Sequence, residues 1–227
     1  MLCYNKIKFL DLKKDIFGGV NMKLLYGTAN PAKLKHMREM LEGLDIEIVG
    51  LKDINVHIDS IDESGNNPLE NARIKAYAYY EALKIPVFSC DTGLYIEGVE
   101  EEDQPGVHVR RVDGKVLSDE EMIDHYINLA LKLGGEARAR YKNAICLILD
   151  ENNIFQYDGE DIASSPFFIT TKPHPKRDKG FPLDSISMEI ESGEYYIDIE
   201  VKSDDKSEGS MTKAFRRFFQ EVIKIKK

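Results

Sequence analysis

Residues 23–35 read KLLYGTANPAKLK, and this stretch decides the fold. Leu24 to Tyr26 form a short apolar strand, Gly27 to Asn30 a turn of small residues, and Pro31 opens a helix at its first position, where a missing N–H costs nothing. A strand that turns tightly into a helix N-terminus is the first unit of an α/β protein. It is also a place to hold an anion, because first-turn N–H groups lack partners within the helix and the helix dipole favours negative charge. Lys33 adds a counter-charge. The stretch lacks the G-x-x-x-x-G-K-[ST] spacing of a P-loop, so taken alone it equally describes an ordinary βα unit.

The whole chain, 227 residues and 42% hydrophobic, is long enough for one sizeable α/β domain. Its net charge of −9 argues against a general nucleic-acid binder, which needs a basic face. Three scattered cysteines, Cys3, Cys90 and Cys146, suit neither a disulfide framework nor a zinc site and fit a reducing cytoplasm. Apolar runs fall far short of the roughly 20 residues that span a bilayer, and the N-terminus lacks a signal-peptide pattern, so a cytoplasmic location and no membrane partner are expected. Residues 1–21 mix Lys and Asp with isolated apolar residues. We expect them to be an extension, poorly ordered or not native, with residues 22–227 forming a single domain.

Outward from the opening stretch, Leu34, Met37, Met40, Leu41 and Leu44 recur at helical spacing, which predicts a helix over Pro31–Glu42, and Glu47–Leu51 reads as a strand. The polar segment DSIDESGNN, residues 59–67, leads into a helix from Pro68 whose inward face is Leu69, Ala72, Ala76, Tyr79, Tyr80 and Leu83. Pro86–Cys90 is a short apolar run expected to end at Asp91-Thr92-Gly93, which places an aspartate at a strand end, where α/β proteins keep their chemistry. Leu94–Val99 is a further strand. Ser118 and Glu121 form a capping box for a helix carrying Met122, Ile123, Tyr126, Ile127, Ala130 and Leu133, closed by Gly134-Gly135. Arg138–Leu149 is the strongest strand and pairs with Ile154–Tyr157 as a hairpin. Residues 164–184 carry four prolines and a basic cluster, Lys172, Lys176, Arg177 and Lys179, and are expected to be irregular. Strands over Ser185–Ile190 and Glu194–Val201 and a last helix facing inward through Ala214, Phe215, Phe218, Phe219, Val222 and Ile223 complete the chain.

Five segments, in order, are similar to motifs of the inosine triphosphate pyrophosphatase family. Thr28, Asn30 and Lys33 stand at the positions of its T-x-N-x-x-K phosphate-contacting signature. DESGNNPLENARIKA, residues 62–76, resembles its acidic loop and E-N-A-x-x-K-A helix. Cys90 to Leu94 resembles the acid-Asp-[ST]-G-L element, Pro105 to Arg111 the next motif, and Lys179 to Asp184 a G-F-x-x-D motif that packs the nucleobase. The resemblance implies an α/β fold with a long, mixed, twisted sheet flanked by helices and splayed into two lobes around a central cleft, a fold shared with Maf-like enzymes. It also implies a homodimer, and Mg²⁺-dependent hydrolysis of a nucleoside triphosphate, with a non-canonical purine as its base, to monophosphate and pyrophosphate.

Under that resemblance Asp62, Glu63 and Asp91 are the metal ligands, Asp91 and Lys33 the catalytic residues, and Thr28, Asn30, Lys33, Thr92, Gly93, Arg111, Phe181 and Asp184 the substrate contacts. The chemistry is coherent, since the barrier to attack on a polyphosphate is its negative charge. Two departures stand out. Cys90 occupies the place of a carboxylate, and Ser210-Met211-Thr212 stands where the family has Ser-His-Arg, whose His and Arg recognise a 6-oxopurine; Arg177, Lys179 or Lys213 are candidate substitutes. Rival expectations are therefore action on a modified pyrimidine triphosphate, as in Maf-like enzymes, or a catalytically weak nucleotide-binding regulator.

Overall fold

The computed structural model describes residues 22–54, 58, 61–199 and 209–226; the expected extension over residues 1–21 lies outside them. The opening stretch folds as read. Strand β1 (Met22–Tyr26) leads through the turn into helix α1 (Pro31–Met40). Asn30 caps that helix, its side-chain Oδ1 accepting from Ala32 N at 2.9 Å and Lys33 N at 3.4 Å. Strand β2 (Ile46–Val49) follows, and then helix α2 (Pro68–Leu83), capped by Asn67 through Glu70 N at 2.9 Å.

The centre of the molecule is a long antiparallel ladder between β3 (Val87–Ile96) and β6 (Glu136–Asp150), paired from Val87 opposite Ile148 to Ile96 opposite Ala139. On one side β1 lies parallel to both β2 and β3. On the other, β6 carries two separate strands. Strand β7 (Asn153–Tyr157) pairs with its Ile145–Asp150 end as the expected hairpin, and β8 (Phe167–Thr170), followed outward by β9 (Ser187–Glu189), pairs with its Glu136–Ala139 end. The sheet is mixed, as expected, and it divides into two lobes joined by the β3–β6 ladder.

Burial follows the alternation along each strand. Leu24, Tyr26, Phe88 and Leu147 face α1 and the terminal helix α4 (Ser210–Lys226), which contributes Ala214, Phe215, Phe219 and Val222. Leu25, Val87, Cys146 and Ile148 face Ala72, Ala76, Tyr80 and Leu83 of α2. The second lobe packs Leu94, Ile96, Ala137, Ala139 and Phe167 beneath Met122, Ile123, Tyr126 and Ala130 of helix α3 (Asp119–Lys132), where the capping box between Ser118 and Glu121 is formed. A two-stranded ribbon of β4 (Arg111–Val112) and β5 (Lys115–Val116) stands apart from the main sheet. Among the described residues no helix is long and apolar enough to cross a membrane.

Three expectations need correction. Strand β3 does not end at Asp91; it runs through Asp91-Thr92-Gly93 to Ile96 because Asp91 pairs with Ala144 and Gly93 with Lys142 of β6. It is β1 that ends, at Tyr26 opposite Phe88. The segment over residues 164–184 is not wholly irregular: Phe167–Thr170 is strand β8, whose apolar residues were masked in the sequence by the prolines on either side. Glu194 to Ile199 is not a strand; it makes a single bridge, Tyr195 to Met188, and then a short 3₁₀ turn over Tyr196–Asp198, while the remaining residues of that expected strand lie outside the described ones.

Candidate active site

The ends of β1 and β3 create the site. Because β1 stops at Tyr26, the flank of β3 beyond Phe88 is, among the described residues, without a paired strand until the Leu94–Gly106 bridge, and side chains from α1 and α2 gather there. Gly27 makes the close approach possible. A Cβ there would lie 2.4 Å from both Ser89 Oγ and Tyr79 Cδ2, and the Ser89 hydroxyl donates to Gly27 O at 3.1 Å.

Asp91 is 7% exposed, in the middle of β3. One carboxylate oxygen accepts from Lys75 Nζ at 2.6 Å and the other from Asn71 Nδ2 at 3.2 Å, both donors standing one turn apart on α2. Lys75 also donates to Glu63 Oε2 at 3.0 Å, so one ammonium draws the acidic loop and the strand together. Lys33, from α1, lies in the same group. Burial, and then the neighbouring Lys75, lower its pKa, opposed by Asp91, Cys90 and Glu63. For Lys75 burial also acts against the charge, but Asp91 and Glu63 outweigh it and the pKa is raised.

Cys90, on the opposite face of the strand, is hydrogen-bonded to the buried Tyr26 hydroxyl. Burial pushes its thiol up to about 12, against the pull of Lys33 and Lys75. It therefore brings no charge to the position that the resemblance gives to a carboxylate, the departure already seen in the sequence.

The structure thus brings together Lys33, Glu63 and Asp91, three of the residues singled out from sequence. Asp62, beside Glu63, is exposed. Thr28 and Asn30 order the turn: Thr28 Oγ1 accepts from Asn30 N at 3.2 Å, and the Asn30 cap engages two first-turn N–H groups that the sequence left open for an anion. Thr92 points to the other face and donates to Asn143 Oδ1 at 2.8 Å, while Asn143 Nδ2 donates to Ile162 O at 2.7 Å and meets Met211 Sδ at 3.6 Å. Gly93 permits the antiparallel bridge of Leu94 with Gly106, since a Cβ there would lie 3.1 Å from Gly106 O.

Phe181 and Asp184 belong to the second lobe. Gly180, just before them, has φ +101° and packs against Ala32 at the start of α1, which carries the motif to the opening turn. Burial, with Asp178, pushes Asp184 up to about 7, and among the described residues no side chain hydrogen-bonds its carboxylate. Arg111 is exposed in β4 and, among the described residues, shares no hydrogen bond or ion pair with the Lys33–Asp91 group. Two members of the basic cluster are turned to acids elsewhere: Arg177 pairs with Glu120 at 2.8 Å and Lys176 with Asp198 at 2.6 Å.

Lys75 and Asn71 had no assigned role in the sequence. Their signal was the i, i+4 spacing within E-N-A-x-x-K-A, which puts both on one face of a helix entered from the acidic loop.

The donor set suits a hard cation. Glu63 and Asp91 are carboxylates that already converge on one positive charge, Lys75. Among the described residues no group of three His, Cys, Asp or Glu could enclose a metal, so an ion there would take its other ligands from phosphate oxygens and water, the pattern of Mg²⁺.

The profile of the Ham1 family matches residues 24–211. A dITP/XTP pyrophosphatase of Porphyromonas gingivalis is 32% identical over 133 residues, 59% of this chain and 66% of that protein, just under two thirds of its length. Another, of Thermoanaerobacter pseudethanolicus, is 27% identical over 165 residues, 73% of this chain and 79% of that one. A third, of Christiangramia forsetii, is 35% identical over 135 residues, 59% and 68% of the two chains. Among solved structures, a HAM1 protein from Coxiella burnetii superposes with a TM-score of 0.68 at 22% identity, covering 88% of this chain and 98% of that one. The Staphylococcus aureus Ham1 protein gives 0.65 at 19%, covering 88% and 99%. At these identities the structural likeness speaks for the fold.

Proposed function

Since the chain belongs to the Ham1 family, we propose that it is a nucleoside triphosphate pyrophosphohydrolase, converting a triphosphate and water to a monophosphate and pyrophosphate, with non-canonical purine nucleotides as substrates. Its relatives, dITP/XTP pyrophosphatases by name, support the substrate class. The observation that carries the chemistry is the group in which Lys75 bridges Glu63 and Asp91 beside Lys33, at the open end of β1.

In this proposal Lys33 and the Thr28 and Asn30 side chains hold the phosphate tail, and Lys75 adds a second positive charge against it. Asp91 orients the attacking water and takes its proton as the water oxygen bonds to the α-phosphorus; the bond to the β-phosphate oxygen breaks and pyrophosphate leaves. Each Asp91 oxygen accepts one hydrogen bond from α2 and keeps a lone pair for that water. Glu63 and Asp91 are the residues that would hold Mg²⁺ directly, with the exposed Asp62 reaching it through water, and the ion when bound would offset charge on the phosphates. Phe181 and Asp184 line the base side, and Arg111 is a more distant contact to sugar or phosphate. We further propose a cytoplasmic homodimer, for which light scattering in solution is the check.

The decisive experiment measures pyrophosphate release from a panel of normal, deaminated and modified pyrimidine triphosphates with Mg²⁺. We expect turnover of deaminated purine triphosphates and a loss of about 10²–10⁴-fold in Asp91→Asn. Unchanged activity in that variant rejects the site. Met211 and Thr212, at the start of α4, favour one second outcome: they offer no cationic donor to a 6-oxo group, so tight binding without turnover of any triphosphate identifies a nucleotide-binding regulator instead.

A further inference from the structure

We propose that Asn71 is a positioning residue that fixes Glu63 and Asp91 relative to one another, an inference that rests on the function proposed above. Asn71 is 1% exposed and uses both ends of its amide. Its Oδ1 accepts from Gly65 N at 2.8 Å, two residues beyond Glu63, and its Nδ2 donates to Asp91 Oδ2 at 3.2 Å. One side chain therefore ties the acidic loop to the middle of β3.

The fit is close. A Cβ on Gly65 would lie 2.7 Å from Asn71 Oδ1 and 2.7 Å from Glu70 Cβ, so the loop reaches the helix only because residue 65 is glycine. Lys75 joins the same two elements, at 3.0 Å from Glu63 and 2.6 Å from Asp91. Its ammonium is a point charge with rotatable donors; it draws the carboxylates together without setting where they point. The planar amide, with donor and acceptor on opposite sides, sets that direction. An aspartate here would keep the acceptor for Gly65 and place a carboxylate against Asp91. A leucine would leave both partners unsatisfied, and a glutamine is one methylene too long.

The test uses the full-length protein and compares Asn71→Ala with Asn71→Asp. Pyrophosphate release from dITP with Mg²⁺ gives kcat and KM, and amide hydrogen exchange without nucleotide follows Gly65. In Asn71→Ala we expect kcat to fall about 10–100-fold, the loss usual for an outer-shell partner. KM stays within about threefold and Gly65 exchanges about tenfold faster or more. In Asn71→Asp kcat falls likewise while Gly65 stays protected, a separation that general destabilisation does not produce. In an Asp91→Asn background Asn71→Ala lowers the residual rate less than about threefold, because it acts through Asp91.

A kcat within about twofold of wild type in both variants, a loss carried by KM, or unchanged Gly65 exchange in Asn71→Ala overturns the proposal. If wild type releases no pyrophosphate from any triphosphate, the functional proposal fails by itself. Gly65 then decides this one: acceleration in Asn71→Ala but not Asn71→Asp supports the tie, and equal rates overturn it. Should Asn71→Ala not fold, the isosteric Asn71→Asp carries the test through kcat.

Discussion

Lys75 Nζ lies 2.6 Å from an Asp91 carboxylate oxygen, with the two side chains only 12% and 10% exposed. A buried pair of this kind adds little over an apolar pair of the same shape, but removing one partner leaves a stranded charge. Lys75→Met leaves Glu63 and Asp91 without their shared cation, and we expect a loss of about 3 kcal/mol in urea unfolding. Because the Lys75 pKa is raised, its stabilisation is complete below the ordinary lysine range and fades only as pH rises through the folded value. The deficit is thus the same at pH 6 and pH 8 as far as Lys75 is concerned. Lys75→Arg, which keeps the charge, recovers part of it.

Asp184 titrates the other way. Burial holds it near 7, so the folded state binds more protons than the unfolded chain between the ordinary carboxylate range and about pH 7, and stability falls as pH rises through that window. Asp184→Asn keeps the shape and removes the charge. Its advantage over wild type in thermal melts is absent near pH 4 and grows to the order of 1–3 kcal/mol at pH 8. A difference independent of pH contradicts the assignment.

Gly27→Ala tests the tight turn by volume alone. The added methyl carbon would lie 2.4 Å from both Ser89 Oγ and Tyr79 Cδ2, well inside van der Waals contact. Overpacking of this size costs about 1–3 kcal/mol, read from the urea midpoint, and the shift of the turn carries Lys33 with it, so activity falls as well.

The buried thiols are inert in the folded protein. Burial pushes Cys90 up to about 12 and Cys146 up to about 11. Alkylation at pH 8, followed by mass mapping of the two peptides, labels them only after denaturation. Rapid labelling of Cys90 in the native protein shows the site to be more open than described.

The opening turn, the helix faces and the capping box were legible because each is local: a cap, a proline or a period of 3.6 residues reads from a dozen positions. What escaped depended on partners remote in sequence. Asp91 sits in mid-strand because β6 pairs beyond the end of β1, and no feature of residues 86–96 announces that. Phe167–Thr170 became a strand because the near half of β6 was free to receive it. Lys75 and Asn71 stood in the sequence at helical spacing, but which side of the helix met a carboxylate was decided by the pairing of other elements.

The β3–β6 ladder has a kinetic consequence. Thr92 and Asn143, neighbours in the ladder, are 51 residues apart in the chain, and the Gly27–Ser89 contact beneath the site spans 62. Loops of that length must close before Asp91 has a bed to lie in, and closure of distant contacts is the slow part of folding. The carboxylate group is therefore expected to assemble with the long-range pairing of β3 and β6, not with the local helices. A partly folded chain can hold α1 and α2 intact and still lack any place where water and a phosphate could meet.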